Sequence, residues 1–188
     1  MFKKICGFLF FKVLGWKVIN KLPYLSGKYI VIIAPHTSNW DFILGKLYYC
    51  SQGLKPKFMI KAQWFKPPVG WLVRSLGGVP VNRENAQGSL LPLIKEIEKS
   101  DSFILNITPE GTRKKVKKWK KGFYKIAMGT GLPIIMGKFD YKNKVLTISQ
   151  ELFYPTGNYQ KDAEIFYEFF KTGAVGKHPE NFDPACVK

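Results

Sequence analysis

The chain has 188 residues, a formal net charge of +17, 46% hydrophobic and 15% aromatic residues. That length suits one domain with a substantial core, and the composition excludes a disordered chain. Residues 1–150 carry a balance of +19 and residues 151–188 a balance of −2, with Asp41 the first acid; such a field attracts nucleic acid, anionic lipid or phosphorylated small molecules.

Met1–Ile19 is rich in Phe, Leu, Ile, Val and Trp but is interrupted by Lys3, Lys4, Lys12 and Lys17. The lysines argue against a secretory signal and against a spanning helix, which needs about 20 mostly uncharged residues. Residues 1–20 read as an amphipathic helix in a membrane interface, its lysines snorkelling to water. The plainer alternative is a helix packed on the core.

The rest, 21–188, reads as one domain without repeats or a separating linker. Tyr29–Ala34 is a β-branched apolar run that predicts a buried strand ended by Pro35. A helix follows over Asn39–Cys50, then strands at Lys57–Lys61 and Val79–Val81, with a helical turn through Trp71 and Val73 between them. Ser89 reads as the cap of a helix to Lys99, which leaves Pro92 in its first turn. Phe103–Ile107 predicts a strand, Thr108–Lys121 a polar basic loop and Gly122–Thr130 a helix. Pro133–Phe139 and Lys144–Ser149 flank a polar turn at Tyr141–Asn143, a hairpin pattern. Asp162–Lys171 is a last amphipathic helix. The expected fold class is α/β, a single domain with a mixed, mostly parallel sheet flanked by helices plus the N-terminal amphipathic helix.

The cysteines, Cys6, Cys50 and Cys186, are odd in number and match no disulfide or metal-site spacing. A reducing compartment is expected, with Cys50 as a small core residue. None has a neighbour that would activate it.

Four constellations can carry chemistry. In Pro35-His36-Thr37-Ser38-Asn39-Trp40-Asp41 a histidine and an aspartate follow a buried strand, where α/β sheets place their chemistry. Such a histidine can take a proton from a hydroxyl, and a carboxylate on its other ring nitrogen can fix the tautomer. By spacing alone the pair is a weak signal, and His36 satisfied by a turn with Asp41 favouring a helix N-terminus explains it more simply. Thr108-Pro109-Glu110-Gly111-Thr112-Arg113 follows the Phe103–Ile107 strand at the same expected edge. Gly111 permits close backbone approach, Arg113 offers a fork for phosphate, and Glu110 can orient that arginine or accept from a substrate hydroxyl. Arg83 closes the short run after Gly77-Gly78. In Arg113–Lys121, seven of nine residues are basic and one is Trp119. That suits an anionic bilayer interface, with a nucleic-acid patch or a merely solvated face as the rivals.

The ordered segments His36-x-x-x-x-Asp41, Gly77 to Arg83, Pro109-Glu110-Gly111-Thr112-Arg113 and Leu132-Pro133-Ile134-Ile135 resemble the motifs of the glycerol-3-phosphate and lysophosphatidate acyltransferase superfamily. The matched region spans roughly residues 28–140. The resemblance implies that His36 deprotonates an acceptor hydroxyl, which attacks an acyl thioester of CoA or of acyl carrier protein, and that Asp41 orients His36. It implies that Arg83, Glu110, Gly111, Thr112 and Arg113 shape the acceptor site and bind its phosphate, and that Pro133 belongs to the acyl region. No metal or bound cofactor is implied; the partners would be a lysophospholipid, the acyl donor and an anionic membrane surface, not nucleic acid. The enzyme would sit peripherally or monotopically on the cytoplasmic face of a membrane. Pro35, Thr108 and the Val-Pro-Val-Asn-Arg ending depart from the common motif forms. They leave the acceptor open between 1-acylglycerol-3-phosphate and another lysolipid or hydroxylated lipid. The competing class is a non-catalytic module binding anionic lipid or nucleic acid, which accounts for the charge but not for the ordered motifs.

Overall fold

The run Tyr-Ile-Val-Ile-Ile-Ala has no polar side to turn to water, so a strand made of it must be covered on both faces. A computed structural model describes residues 1–22, 27–82 and 86–188, side chains at 86–90 excepted. It begins with helix α1 (Phe2–Gly7), which continues as a π-helical segment, Phe8–Val13. Strands β1 (Lys17–Ile19) and β2 (Lys28–Ala34) and helix α2 (Trp40–Gln52) follow. Next come β3 (Lys57–Lys61), α3 (Gly70–Ser75), β4 (Gly78–Val81) and α4 (Ala86–Lys99). The chain continues through β5 (Phe103–Ile107), α5 (Gly122–Thr130), β6 (Ile134–Asp140), β7 (Val145–Ile148) and α6 (Tyr159–Phe170).

The described strands form one sheet in the order β1-β7-β6-β2-β5-β3-β4. Strands β6, β2, β5, β3 and β4 run parallel, and β7 turns back antiparallel to β6 with β1 parallel to it. This is the mixed, mostly parallel sheet expected from the alternation of strands and helices. Strand β2 sits at its centre, so its alternate side chains belong to two cores. Ile30, Ile32 and Ala34 pack with Leu93 and Ile97 of α4, Ile126 of α5 and Phe166 and Phe170 of α6. Tyr29, Val31 and Ile33 pack with Phe10, Trp16 and the α2 residues Leu44, Tyr48 and Tyr49. Because the five central strands run the same way, β2, β5 and β6 deliver the chain at one edge, and the candidate site gathers there.

Four expectations change. The N-terminal helical region ends at Val13, and Lys17–Ile19, expected as its last turn, is an edge strand. Phe10 is fully buried against Trp16 and Tyr48, which anchors the segment, while Phe2, Ile5, Phe8 and Phe11 stay exposed. Helix α4 starts at Ala86, not at a Ser89 cap, so Pro92 lies inside it and removes an internal amide donor. Trp119, expected among lipid headgroups, is 4% exposed and packs edge-on against Phe170 at 5.1 Å, because the basic loop folds its one large apolar group inward. The Arg113–Lys121 run therefore presents cations without an aromatic anchor.

The fourth change concerns the thiols. Cys6 and Cys50 are joined as a disulfide, with Cα atoms 5.9 Å apart across 44 residues of sequence. Spacing cannot show such a pair; the packing of α1 along α2 creates it. Cys186 is free and buried, and burial pushes its thiol up to about 12, which leaves it inert. Replacing Cys6 by Ser is expected to lower unfolding free energy by about 2–4 kcal/mol. Urea midpoints of oxidised wild type and variant would read this, and dithiothreitol should bring the wild type to the variant's value.

Candidate functional site

Pro35 turns the chain out of β2, and the five residues before α2 form a tight loop around one carboxylate. Asp41, the second residue of α2, is buried at the positive end of that helix. Its Oδ2 accepts the Thr37 N–H and the Ser38 N–H, each at 2.9 Å, and lies 3.0 Å from Nδ1 of His36. Its Oδ1 accepts the hydroxyl of Tyr141. A carboxylate offers only acceptors, so His36 must carry its proton on Nδ1, leaving the Nε2 lone pair for the cleft. His36 keeps 21% of its side chain exposed, against 3% for Asp41. The two side chains that spacing left ambiguous are thus in direct hydrogen-bond contact, with Asp41 as the acceptor.

Glu110 arrives from the end of β5 and closes the loop from below. Its Oε1 accepts the His36 backbone N–H at 2.9 Å. It neither orients Arg113 nor stands among the residues lining the cleft. Oε2 has no hydrogen-bond partner among the described residues. Burial raises its carboxyl from the usual 4.5 to about 7, against the lowering effect of the His36 amide. Gly111 follows with φ +62, a left-handed conformation that glycine adopts without strain.

Gly111, Thr112 and Arg113 line the mouth of a cleft of about 640 Å³ together with His36, Asn39, Lys61, Lys120 and Lys121. Arg113 Nη1 donates to Asn39 Oδ1, which ties the third motif to the first. Deeper, the walls are Val31, Ile33, Phe58, Phe139, Leu146 and Ile148. These belong to the α2-side core, so the cleft descends from the cationic rim between sheet and helix. Its size is that of an ordinary ligand pocket. Arg83 lies outside the described residues. Pro133 precedes β6, its carbonyl accepting the Ile30 N–H at 2.9 Å; it is a strand-pairing residue and does not line the cleft. Among the described residues no group of three or more His, Cys, Asp or Glu could hold a metal ion.

Two supports escaped the sequence reading. Tyr141 looked like a turn residue, but it directly follows β6, the strand beside β2, and so reaches the same edge. Its backbone N–H donates to Val175 O at 2.9 Å, and its ring meets Trp16 edge-on at 5.0 Å. Burial and the adjacent Asp41 raise its hydroxyl well above the usual range, so it stays a donor. The C-terminal segment is the other support: the His178 N–H donates to Thr37 Oγ1 at 3.2 Å, and Lys177 lies over the Trp40 ring at 4.9 Å.

Fold and cleft together define an α/β protein with its candidate chemistry at the edge where parallel strands end. The chain belongs to the acyltransferase family, whose sequence model matches residues 16–136. The resemblance drawn from the four motifs is thereby borne out. Among curated proteins it is similar to a 1-acyl-sn-glycerol-3-phosphate acyltransferase of Streptococcus pneumoniae, 33% identical over 99 residues, which is 50% of this chain and 35% of that one. It is also similar to the chloroplastic 1-acyl-sn-glycerol-3-phosphate acyltransferase BAT2 of Brassica napus, 33% identical over 106 residues, 53% of this chain and 30% of that one. The matched part thus spans about a third of each relative. The crystal structure of the 1-acyl-sn-glycerophosphate acyltransferase PlsC from Thermotoga maritima shares the fold with a TM-score of 0.63 at 21% identity, covering 92% of this chain and 77% of that one.

Two outcomes are expected. Tyr141→Phe removes a hydrogen-bond donor from the buried Asp41 and should lower the unfolding free energy by about 1.5–3 kcal/mol, the worth of one hydrogen bond to a charged group, read from urea midpoints. For Glu110, the native state holds its proton to about 7 while the unfolded chain releases it near 4.5. The stability that the neutral carboxyl contributes is full below 4.5 and is lost as pH rises through 7. Denaturant titrations from pH 4 to 8 should show Glu110→Gln flattening that decline by on the order of 3 kcal/mol.

Proposed function

We propose that the protein is an O-acyltransferase that moves a fatty acyl group from an acyl thioester, acyl-CoA or acyl carrier protein, to a hydroxyl of a lysophospholipid such as 1-acylglycerol-3-phosphate. The observation that carries this reading is the His36–Asp41 pair at the rim of a cleft that is cationic at its mouth and apolar in its depth. One ligand type satisfies both halves: an acyl chain below, a phosphate above.

In the proposed reaction the acceptor's O–H gives its proton to Nε2 of His36 as its oxygen bonds to the thioester carbonyl carbon. Asp41 holds the imidazole's orientation and balances the imidazolium. When the tetrahedral adduct collapses, the C–S bond breaks and the imidazolium returns the proton to the departing thiolate. No acyl-enzyme forms, in keeping with the absence of an activated serine or cysteine beside His36 among the described residues. Arg113 and the lysines of the mouth would meet the phosphate. Glu110 would act through the His36 backbone rather than on the substrate. Arg83 keeps the phosphate-binding role that its motif implies.

Contact with the membrane belongs to the same proposal. No helix among the described residues is long and apolar enough to cross a membrane. The N-terminal segment is pinned by Phe10 and Cys6 and turns Phe2, Ile5 and Phe8 outward, an interfacial arrangement. The lysine run would add attraction to an anionic leaflet, which supports a peripheral position on the cytoplasmic face as part of the same proposal.

His36→Ala should lower turnover by roughly 10² to 10⁴ with either acyl-CoA or acyl carrier protein as donor, the usual worth of a general base. Thiol release with a panel of lysolipid acceptors measures it. Near-full activity in the variant would falsify the assignment, and the acceptor that responds most names the substrate.

A further inference from the structure

The segment between β3 and β4 has no role in the chemistry described above, yet it has an unusual surface. Phe65 and Gly70 are buried and hold it down, while nearly every other residue from Lys61 to Ser75 is exposed. Trp64, Val69, Trp71 and Leu72 are all exposed large apolar side chains, Trp71 at 71%. The segment is held in shape internally. Arg74 donates to Phe65 O at 3.3 Å, its guanidinium lies 5.2 Å from the Phe65 ring, and Gly70 lies so close to the Phe65 carbonyl that a Cβ there would clash at 2.1 Å. Leaving two tryptophans and a leucine in water has no structural benefit, since they cover none of the core.

We propose that residues 64–72 form a bilayer-docking wedge that presses the mouth of the cleft against a lipid surface. Three observations choose a bilayer as its occupant. Tryptophan with an aliphatic tip is the composition that settles at headgroup depth. Lys61, Lys66 and Arg74, all exposed, alternate with these apolar residues along the segment, a charge complement to an anionic leaflet. Trp64 itself lines the cleft beside Lys61 and Gln63, so the wedge is continuous with the cavity. A lipid acceptor could then pass from leaflet to cleft without exposing its chain to water. The wedge is distinct from the N-terminal segment and from the lysine run, whose Trp119 is turned inward.

The inference rests on the acceptor being a lipid, but its readout is vesicle binding, which does not require acyl transfer. Co-sedimentation of the full chain with phosphatidylglycerol-containing vesicles is compared for wild type, Trp71→Glu/Leu72→Glu, and Leu91→Glu, an exposed leucine on α4 as control. The double variant is expected to bind roughly tenfold more weakly, with an unchanged melting temperature, while Leu91→Glu binds as wild type does. Brominated lipid should quench wild-type tryptophan fluorescence, and Trp71→Phe should lose part of that quenching while still binding. Wild-type affinity in the double variant, or unreduced quenching in Trp71→Phe, overturns the proposal. So does a wild-type dimer in sedimentation velocity that the double variant abolishes without loss of vesicle binding, which would assign the patch to a second copy of the chain.

Discussion

Everything at the candidate site hangs on one buried carboxylate. Asp41 takes two backbone amides, a tyrosine hydroxyl and an imidazole, and these donors come from two stretches of chain: the turn before α2, which includes the motif histidine, and the end of β6. A buried anion without such donors would be protonated or expelled. With them it becomes the fixed point around which the loop folds, and the imidazole inherits its orientation. Glu110 completes the arrangement from the neighbouring strand by holding the His36 amide, so two acids brace one histidine, one through its ring and one through its backbone.

That arrangement requires the sheet to be parallel where it is. Strands β6, β2 and β5 lie side by side and end together. Reversal of any one would carry Tyr141 or Glu110 to the opposite edge. The same parallel run leaves an apolar layer under α2, and the cleft uses it. The N-terminal segment is part of this layer rather than an appendage, because Phe10 and Trp16 are buried in it and Trp16 abuts Tyr141. A chain of contacts thus leads from a segment that faces outward to the carboxylate that orients His36.

The basic character of the chain divides into parts with different geometry. Arg113, Lys120 and Lys121 stand at the cleft. The other lysines of that run face solvent, while Trp119 anchors the loop in the core and its backbone N–H donates to the Cys186 carbonyl at 2.8 Å. Lys115 pairs with Asp183 at 3.1 Å, so the acidic last 38 residues meet the basic body at that point, a weak and salt-sensitive attraction at such exposed positions, while Lys188 pairs with Glu164 within the last segment itself.

The sequence by itself determined the strands that are apolar on both faces and the helices between them, because periodicity is a local property of the chain; His36 and Asp41 stood out only through their order with the other motifs. It could not reveal that Lys17–Ile19 joins the sheet, that α4 begins before Ser89, or that Cys6 meets Cys50, since each depends on what packs alongside. Trp119 among lysines reads as surface until a core is there to receive it. Tyr141 reads as turn until β6 is known to lie against β2. Which residues share a strand edge, and therefore which donors reach Asp41, is decided only when the sheet closes, because contacts between distant segments are set by burial and pairing and leave no trace in the spacing of residues.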